Sequence, residues 1–270
     1  HEVPKKEEDA RLAQNCVFHF ECPPLINKIR DEINTEFPDD MDGVISDALL
    51  LYLDSLFGLL VNDNSSGSGS KINFADDYVF VISSIASGFF KNRLPDSFKD
   101  ISIGYSSINI LRKLCGISEN IAVSKTNNYV CVQAEGVEAY LRYMKVRPLH
   151  QMYIKRVNKD NGVVVDRAYL RDVLRRMGSM NPDGEVKIGE DLEVVNKNFN
   201  QFIPIIKKKG NVEDINFKIA IPTIEKCILG QDNVFAGDLF VYLIETGRGY
   251  SLVMSDKTDS WFSLVQVSKV

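Results

Sequence analysis

Apolar residues recur at helical spacing through the first part of this chain and alternate with polar ones through the last. Behind Pro23-Pro24, the residues Leu25, Ile26, Ile29 and Ile33 lie at helical spacing up to Phe37. A charged helical start over Lys5 to Gln14 precedes them. A very apolar stretch from Gly43 to Val61 carries Val44, Ala48, Tyr52, Leu56 and Leu60 and predicts a buried core helix. Further helices are predicted over Asp76 to Phe90, Tyr105 to Cys115 and Gly136 to Met144, with a hairpin formed by Ile121 to Ser124 and Tyr129 to Val132.

From Met152 the texture turns to strands. Tyr153 to Val157 and Val163 to Val165 flank the turn Lys159 to Gly162 and predict a hairpin. Asp166 is placed to cap a helix from Arg167 to Met177. Strands follow at 185–188, 192–195, 217–221, 239–245, 250–254 and 261–267, with a short helix at 223–229 and Lys207-Lys208-Lys209 in a loop. No internal repeat is visible. The expectation is an α+β chain, mostly helical in its N-terminal half and β-rich and antiparallel in its C-terminal half. Four segments follow: an acidic helical segment 1–61, a flexible Gly/Ser linker or loop 62–71, a helical region with a β-hairpin 72–145, and a β-rich region 146–270 with one basic amphipathic helix.

Composition narrows the class. Of the 270 residues 44% are hydrophobic and 26% charged, which is globular and argues against a disordered or fibrous chain. The longest apolar run, Leu49 to Val61, is shorter than the roughly 20 residues a bilayer span requires, so no membrane partner is expected. No signal-peptide pattern is visible. Five cysteines without a CxxC pair and three histidines offer no tetrahedral zinc pattern. Cys16-x2-His19-x2-Cys22 alternates with Val17, Phe18 and Phe20 and reads as a strand with buried thiols. No metal or cofactor is expected, and the free thiols fit a reducing compartment, cytosolic or nuclear.

Charge is unevenly spread. Residues 1–70 hold 5 basic and 14 acidic side chains, whereas residues 142–176 hold 10 basic and 3 acidic, in a chain of net charge −5. Seven of the twelve arginines fall in that second block. Guanidinium groups fork onto phosphate or carboxylate and stack on bases. On the helix from Arg167, the residues Leu170, Val173, Leu174 and Met177 form one apolar face, and Arg167, Arg171 and Arg175 form a stripe beside it. The candidate binding residues are therefore Arg167, Arg171, Arg175 and Arg176, extended by Lys155 or Arg156, with Tyr153 and Tyr169 as stacking surfaces. The competing structural reading pairs these arginines with acids of the N-terminal segment.

Other motifs are weaker. Asp183 with Glu185-Val186-Lys187 resembles the acid and Glu-x-Lys set of PD-(D/E)xK nucleases, though Pro182-Asp183-Gly184 reads as a turn. The order of two helices (76–90 and 105–115) and a hairpin matches a winged helix, but the second helix presents mainly Ser and Asn outward. The functional expectation is a non-enzymatic binding or scaffold protein whose Arg-rich surface holds a nucleic acid, DNA or RNA, or another phosphate-bearing or acidic partner. A metal-dependent nuclease and a structural protein self-assembling through acidic-to-basic contacts are the alternatives.

Overall fold

The computed structural model describes residues 43–45, 53, 56–60 and 71–269, apart from 84–85, 92–93, 95, 116–120, 135–136, 156–160, 198, 211, 213–214, 230–236, 247–248 and 257–259. Strands dominate. In chain order they are β1 (Gly43–Ile45), β2 (Lys71–Ala75), β3 (Tyr78–Ile82), β4 (Ala86–Lys91), β5 (Ile101–Gly104), helix α1 (Tyr105–Cys115), β6 (Ile121–Lys125), β7 (Tyr129–Ala134) and β8 (Val137–Lys145). A short helix α2 (His150–Ile154) follows. Then come β9 (Gly162–Asp166), α3 (Arg167–Met180), β10 (Asp183–Ile188), β11 (Leu192–Asn196), β12 (Phe199–Ile203), β13 (Ile205–Lys209), β14 (Ile215–Ala220), α4 (Ile221–Leu229), β15 (Asp238–Thr246), β16 (Gly249–Ser255) and β17 (Trp261–Lys269).

The topology contains a repeat that the sequence hides. Each of β5, β9 and β14 leads into a helix and then three strands joined as a meander. β1 stands in the same relation to β2, β3 and β4. The units are interlocked in pairs. The opening strand of each unit pairs antiparallel with the first meander strand of its sister: β1 with β6 and β5 with β2 in one pair, β9 with β15 and β14 with β10 in the other. Where the pairs meet, β4 and β17 run antiparallel from Trp261 opposite Phe90 to Val265 opposite Ala86. One sheet thus continues from the first pair of units into the second.

Two cores lie on opposite faces of this continuous sheet, because successive side chains point to opposite sides of a strand. On one face Val79, Val81, Val163, Val165, Leu239 and Val241 meet the apolar stripes of all three longer helices, represented by Leu111 on α1, Leu174 on α3 and Ile224 on α4. On the other face Phe80, Phe89, Phe240, Tyr242 and Phe262 form an aromatic slab, and Tyr153 and Ile154 of α2 pack onto it. Ring stacking extends the slab across the junction: Phe89 lies 4.5 Å from Phe262 and 5.7 Å from Phe80. Gly162 permits the tight approach of β9 to β15, since a Cβ there would lie 2.7 Å from the Tyr242 Cβ.

The expected helical N-terminal half is overturned. Asp76–Asp77 is a turn between β2 and β3 rather than a helix start, and the predicted helix 76–90 is the β3–β4 hairpin. Tyr78 to Ile82 is an unbroken run of aromatic and β-branched residues, buried on both faces and therefore without the alternation that marks a half-exposed strand. Of the predicted helix 136–144, Val137 to Met144 lie in strand β8, and with no helix at 76–90 the winged-helix order disappears. Conversely, Tyr153 belongs to helix α2 instead of a strand, and 163–165 pairs with β13 and β15. The Lys207–Lys209 run is in strand β13, not a loop. Helix α1, the 121–134 hairpin, α3, α4 and the last three strands form where the pattern placed them. The predicted helices at 5–14 and 23–37, the Cys16–Cys22 cluster and the Gly/Ser segment lie outside the described residues. Of the predicted helix 43–61, residues 43–45 form β1, and Leu53 and Leu56 are buried in the core.

Candidate nucleic-acid interface

Helix α3 carries the candidate site. It begins where Asp166, in an extended conformation, accepts a hydrogen bond from the Tyr169 backbone N–H at 2.7 Å. This satisfies one of the four donors a helix start leaves open. The other end is held by Asn196, whose Nδ2 donates to the carbonyls of Met177 at 2.9 Å and Asn181 at 3.1 Å from a buried position. Between these two fixings Leu170, Val173, Leu174 and Met177 anchor the helix to the core, each worth about 1.5–3 kcal/mol of burial. The opposite side is left to the arginines.

Arg167 and Arg171 are half-buried, and Arg175 and Arg176 are exposed. Arg171 and Arg175 meet carboxylates of the chain itself. Arg171 approaches Asp172 at 3.1 Å on its own helix, and the Arg175 Nε lies 3.4 Å from Glu225 on α4. These partners are neighbours within the helix layer, and the acids of residues 1–42 lie outside the described residues. Exposed pairs of this kind contribute at most about 1 kcal/mol and exchange readily for another anion. Arg176 makes no ion pair among the described residues.

The stripe does not stand alone. α1 adds Arg112 and Lys113, and on α4 Lys226 balances Glu225. With four arginines against Asp172 on α3, the three helices carry a net +5 in a chain of net −5. All three pack into the same core, and α3 lies directly against α4. Arg112 also lies over the Phe57 ring at 4.0 Å.

The structure separates the remaining candidates from this layer. Tyr153 stacks on Phe89 at 5.6 Å, on the aromatic face opposite the helices, and Lys155 closes the same short helix α2. Neither joins the arginine stripe. Arg156 lies outside the described residues. Tyr169, 43% exposed on α3, remains beside the arginines. Arg112 and Lys113 were missed as partners of that stripe. Their basic pair was visible, but only the shared helix layer unites it with α3.

The other chemistries find less. Glu185 and Lys187 share one face of β10, but Glu185 accepts a hydrogen bond from Asn216 at 3.3 Å. No group of three His, Cys, Asp or Glu side chains poised for a metal occurs among the described residues. No helix among the described residues is long and apolar enough to cross a membrane.

No protein-family model matches this chain, and no curated protein sequence does either. Solved structures match it closely in fold. A putative DNA polymerase III beta subunit from Eubacterium rectale superposes with a TM-score of 0.69 at 14% identity, covering 89% of this chain and 68% of that one. The DNA polymerase sliding clamp of Bacillus subtilis gives 0.69 at 12% identity, over 87% of this chain and 67% of the clamp. The Caulobacter crescentus beta sliding clamp gives 0.70 at 7% identity, with 87% and 68% covered. The chain therefore spans about two thirds of the length of these neighbours and has a sliding-clamp-like fold.

Proposed function

We propose that this chain is a non-enzymatic DNA-binding scaffold of the sliding-clamp type, acting as an assembly of copies. The observation that carries the reading is the net +5 on three helices that pack into one core of a chain with net charge −5. The resemblance to solved DNA polymerase clamps favours duplex DNA over RNA as the polyanion. Arg167, Arg171, Arg175 and Arg176 contact phosphates, with Arg112 and Lys113 extending the track and Tyr169 at its margin. Phosphate contacts of this kind hold DNA without reading its sequence, which suits a protein that travels along the duplex. The reducing cytosol remains the expected compartment, and nothing favours the nuclear alternative.

The test is Arg171→Ala with Arg175→Ala, assayed by fluorescence anisotropy on duplex DNA over a range of salt. Losing two phosphate contacts lowers the slope of log K against log salt by about 2 and weakens binding. The melting temperature stays nearly unchanged, because only surface pairs are lost. A double variant that binds DNA with the wild-type slope overturns the reading.

A further inference from the structure

The acidic block of the sequence lies ahead of β1. Residues 1–42 hold 11 acidic and 5 basic side chains, a net −6. The last twelve of them hold six acids (Asp31, Glu32, Glu36, Asp39, Asp40 and Asp42) and no base. That run leads straight into Gly43, which opens β1 and pairs with Val123 of β6. It is thus tethered at a known point of the first pair of units. Twelve residues reach about 40 Å when extended. A folded chain of this size is about 50 Å across, so most of the molecule lies within reach of the run.

Two basic surfaces compete for such a run. On α3 the exposed Arg175 is met by Glu225 at 3.4 Å, and Arg176 makes no ion pair among the described residues. A guanidinium takes a carboxylate by the same paired hydrogen bonds it offers a phosphate. The Lys207–Lys209 run lacks that fork, and much of it faces elsewhere. Lys207 pairs with Val164, which packs on the aromatic slab, and Lys209 lies over the Phe240 ring of the same slab. The arginines of α3 are the better match in chemistry and belong to the most basic layer of the fold.

We propose that, in the free protein, residues 31–42 dock on the arginines of α3 in the same chain and hold the place of DNA until a duplex displaces them. The inference rests on the DNA reading for its purpose, and on charge and tether alone for the docking. Six carboxylates over about 40 Å place one charge every 7 Å or so, whereas duplex DNA carries one per about 1.7 Å and releases condensed counterions when bound. DNA therefore wins, and sparser anions do not. A partner carried on the same chain acts at an effective concentration of about 1 mM. A segment whose own affinity is only about 0.1 mM then lowers DNA affinity about tenfold. Arginines that would otherwise grip any weak polyanion are reserved for a dense one.

Zero-length carbodiimide crosslinking of the full chain, read by peptide mass mapping, is the test. It joins lysine to carboxylate in direct contact. Lys226, exposed on α4 beside Glu225, is the reporter for α3. Lys207, Lys209 and Lys218 are the controls, since Lys218 stands between Phe217 and Ile219 of the helix-side core and so points away from it. Without DNA, Lys226 is expected to join acids of 31–42, and duplex DNA is expected to abolish that product. Crosslinks that are absent, or as frequent at the controls, overturn the proposal. So do crosslinks between heavy-isotope and ordinary chains in a mixture, which assign the run to another copy. A variant carrying Asp31→Asn, Glu32→Gln, Glu36→Gln, Asp39→Asn, Asp40→Asn and Asp42→Asn is expected to bind duplex DNA about tenfold more tightly at low salt, the gain shrinking as salt rises. Wild-type affinity in that variant, shown folded by circular dichroism, also overturns the proposal, and the wild-type crosslinks decide alone if it misfolds. Lys226 crosslinks in a protein that binds no DNA defeat the DNA reading and leave the docking standing. DNA binding without those crosslinks does the reverse.

Discussion

The Nε2 atom of His150 lies 2.8 Å from Oδ2 of Asp76. The imidazole is buried against Phe80, 4.9 Å away between ring centroids, whereas the Asp76 side chain is 61% exposed. The contact fastens α2 across the β2–β3 turn and so ties the segment between the two unit pairs onto the aromatic slab. Gln151 adds a second, longer hydrogen bond to the same carboxylate at 3.3 Å.

The His150 hydrogen bond, with the smaller one from Gln151, holds the Asp76 carboxyl below its ordinary value. A carboxylate whose pKa is lower folded than unfolded stabilises the fold above its unfolded value. That contribution fades as pH falls through the folded value. Asp76→Asn isolates this charge, because asparagine also accepts the positive φ of 51° found there. Urea denaturation at neutral pH is expected to show a loss of no more than about 1 kcal/mol, since the group is largely solvated. The wild-type and variant curves then converge below about pH 4, where the unfolded carboxyl takes up its proton. Curves that stay parallel through that range would show that the charge contributes nothing.

Two thiols are sealed in the core. Burial pushes Cys227 up to about 12, against weaker opposing effects of Ser263 and Lys226. Burial, reinforced by the negative charge of Glu138, raises Cys131 to about 11. Only the thiolate reacts, so at pH 8 both are expected to resist iodoacetamide in the native protein and to label fully in denaturant. Peptide mass mapping reads each site separately. Rapid native labelling of Cys227 would mean that α4 opens readily from the sheet.

How much of this was legible varies with what decided each element. α3 was readable because its own residues suffice: Asp166 caps it and four apolar positions at helical spacing seat it. The arginine stripe was readable for the same reason. β3 was not, because Val79 and Val81 face one core while Phe80 and Ile82 face the other, and a strand buried on both sides shows no alternation. In β8 the residues Glu138, Ala139, Leu141 and Met144 favour a helix, and pairing with β7 and β5 overrides them. The repeat escaped notice because the units share connectivity rather than residues. Grouping Tyr153 and Lys155 with the arginines failed because sequence proximity does not tell which side of a sheet a connector takes.

Helix α3 is only as well positioned as its C-terminal fixing. Asn196 spends both hydrogens of its side-chain amide on the carbonyls of Met177 and Asn181, with only 3% of its own surface exposed. Asn196→Leu keeps the branched outline of the side chain in a bulkier form and removes both donors. The Met177 carbonyl still receives the backbone N–H of Asn181, so Asn181 loses the larger share. The expected cost is about 1–3 kcal/mol in denaturant unfolding, the usual penalty for a buried polar group deprived of its partner. Because Arg175 and Arg176 ride on the final turns that this amide secures, DNA affinity is expected to fall as well. The salt slope should change by less than in the double arginine variant, since no guanidinium has been removed. Unchanged stability would mean that α3 holds its last turns without Asn196, and that its apolar stripe alone sets the height of the arginines above the sheet.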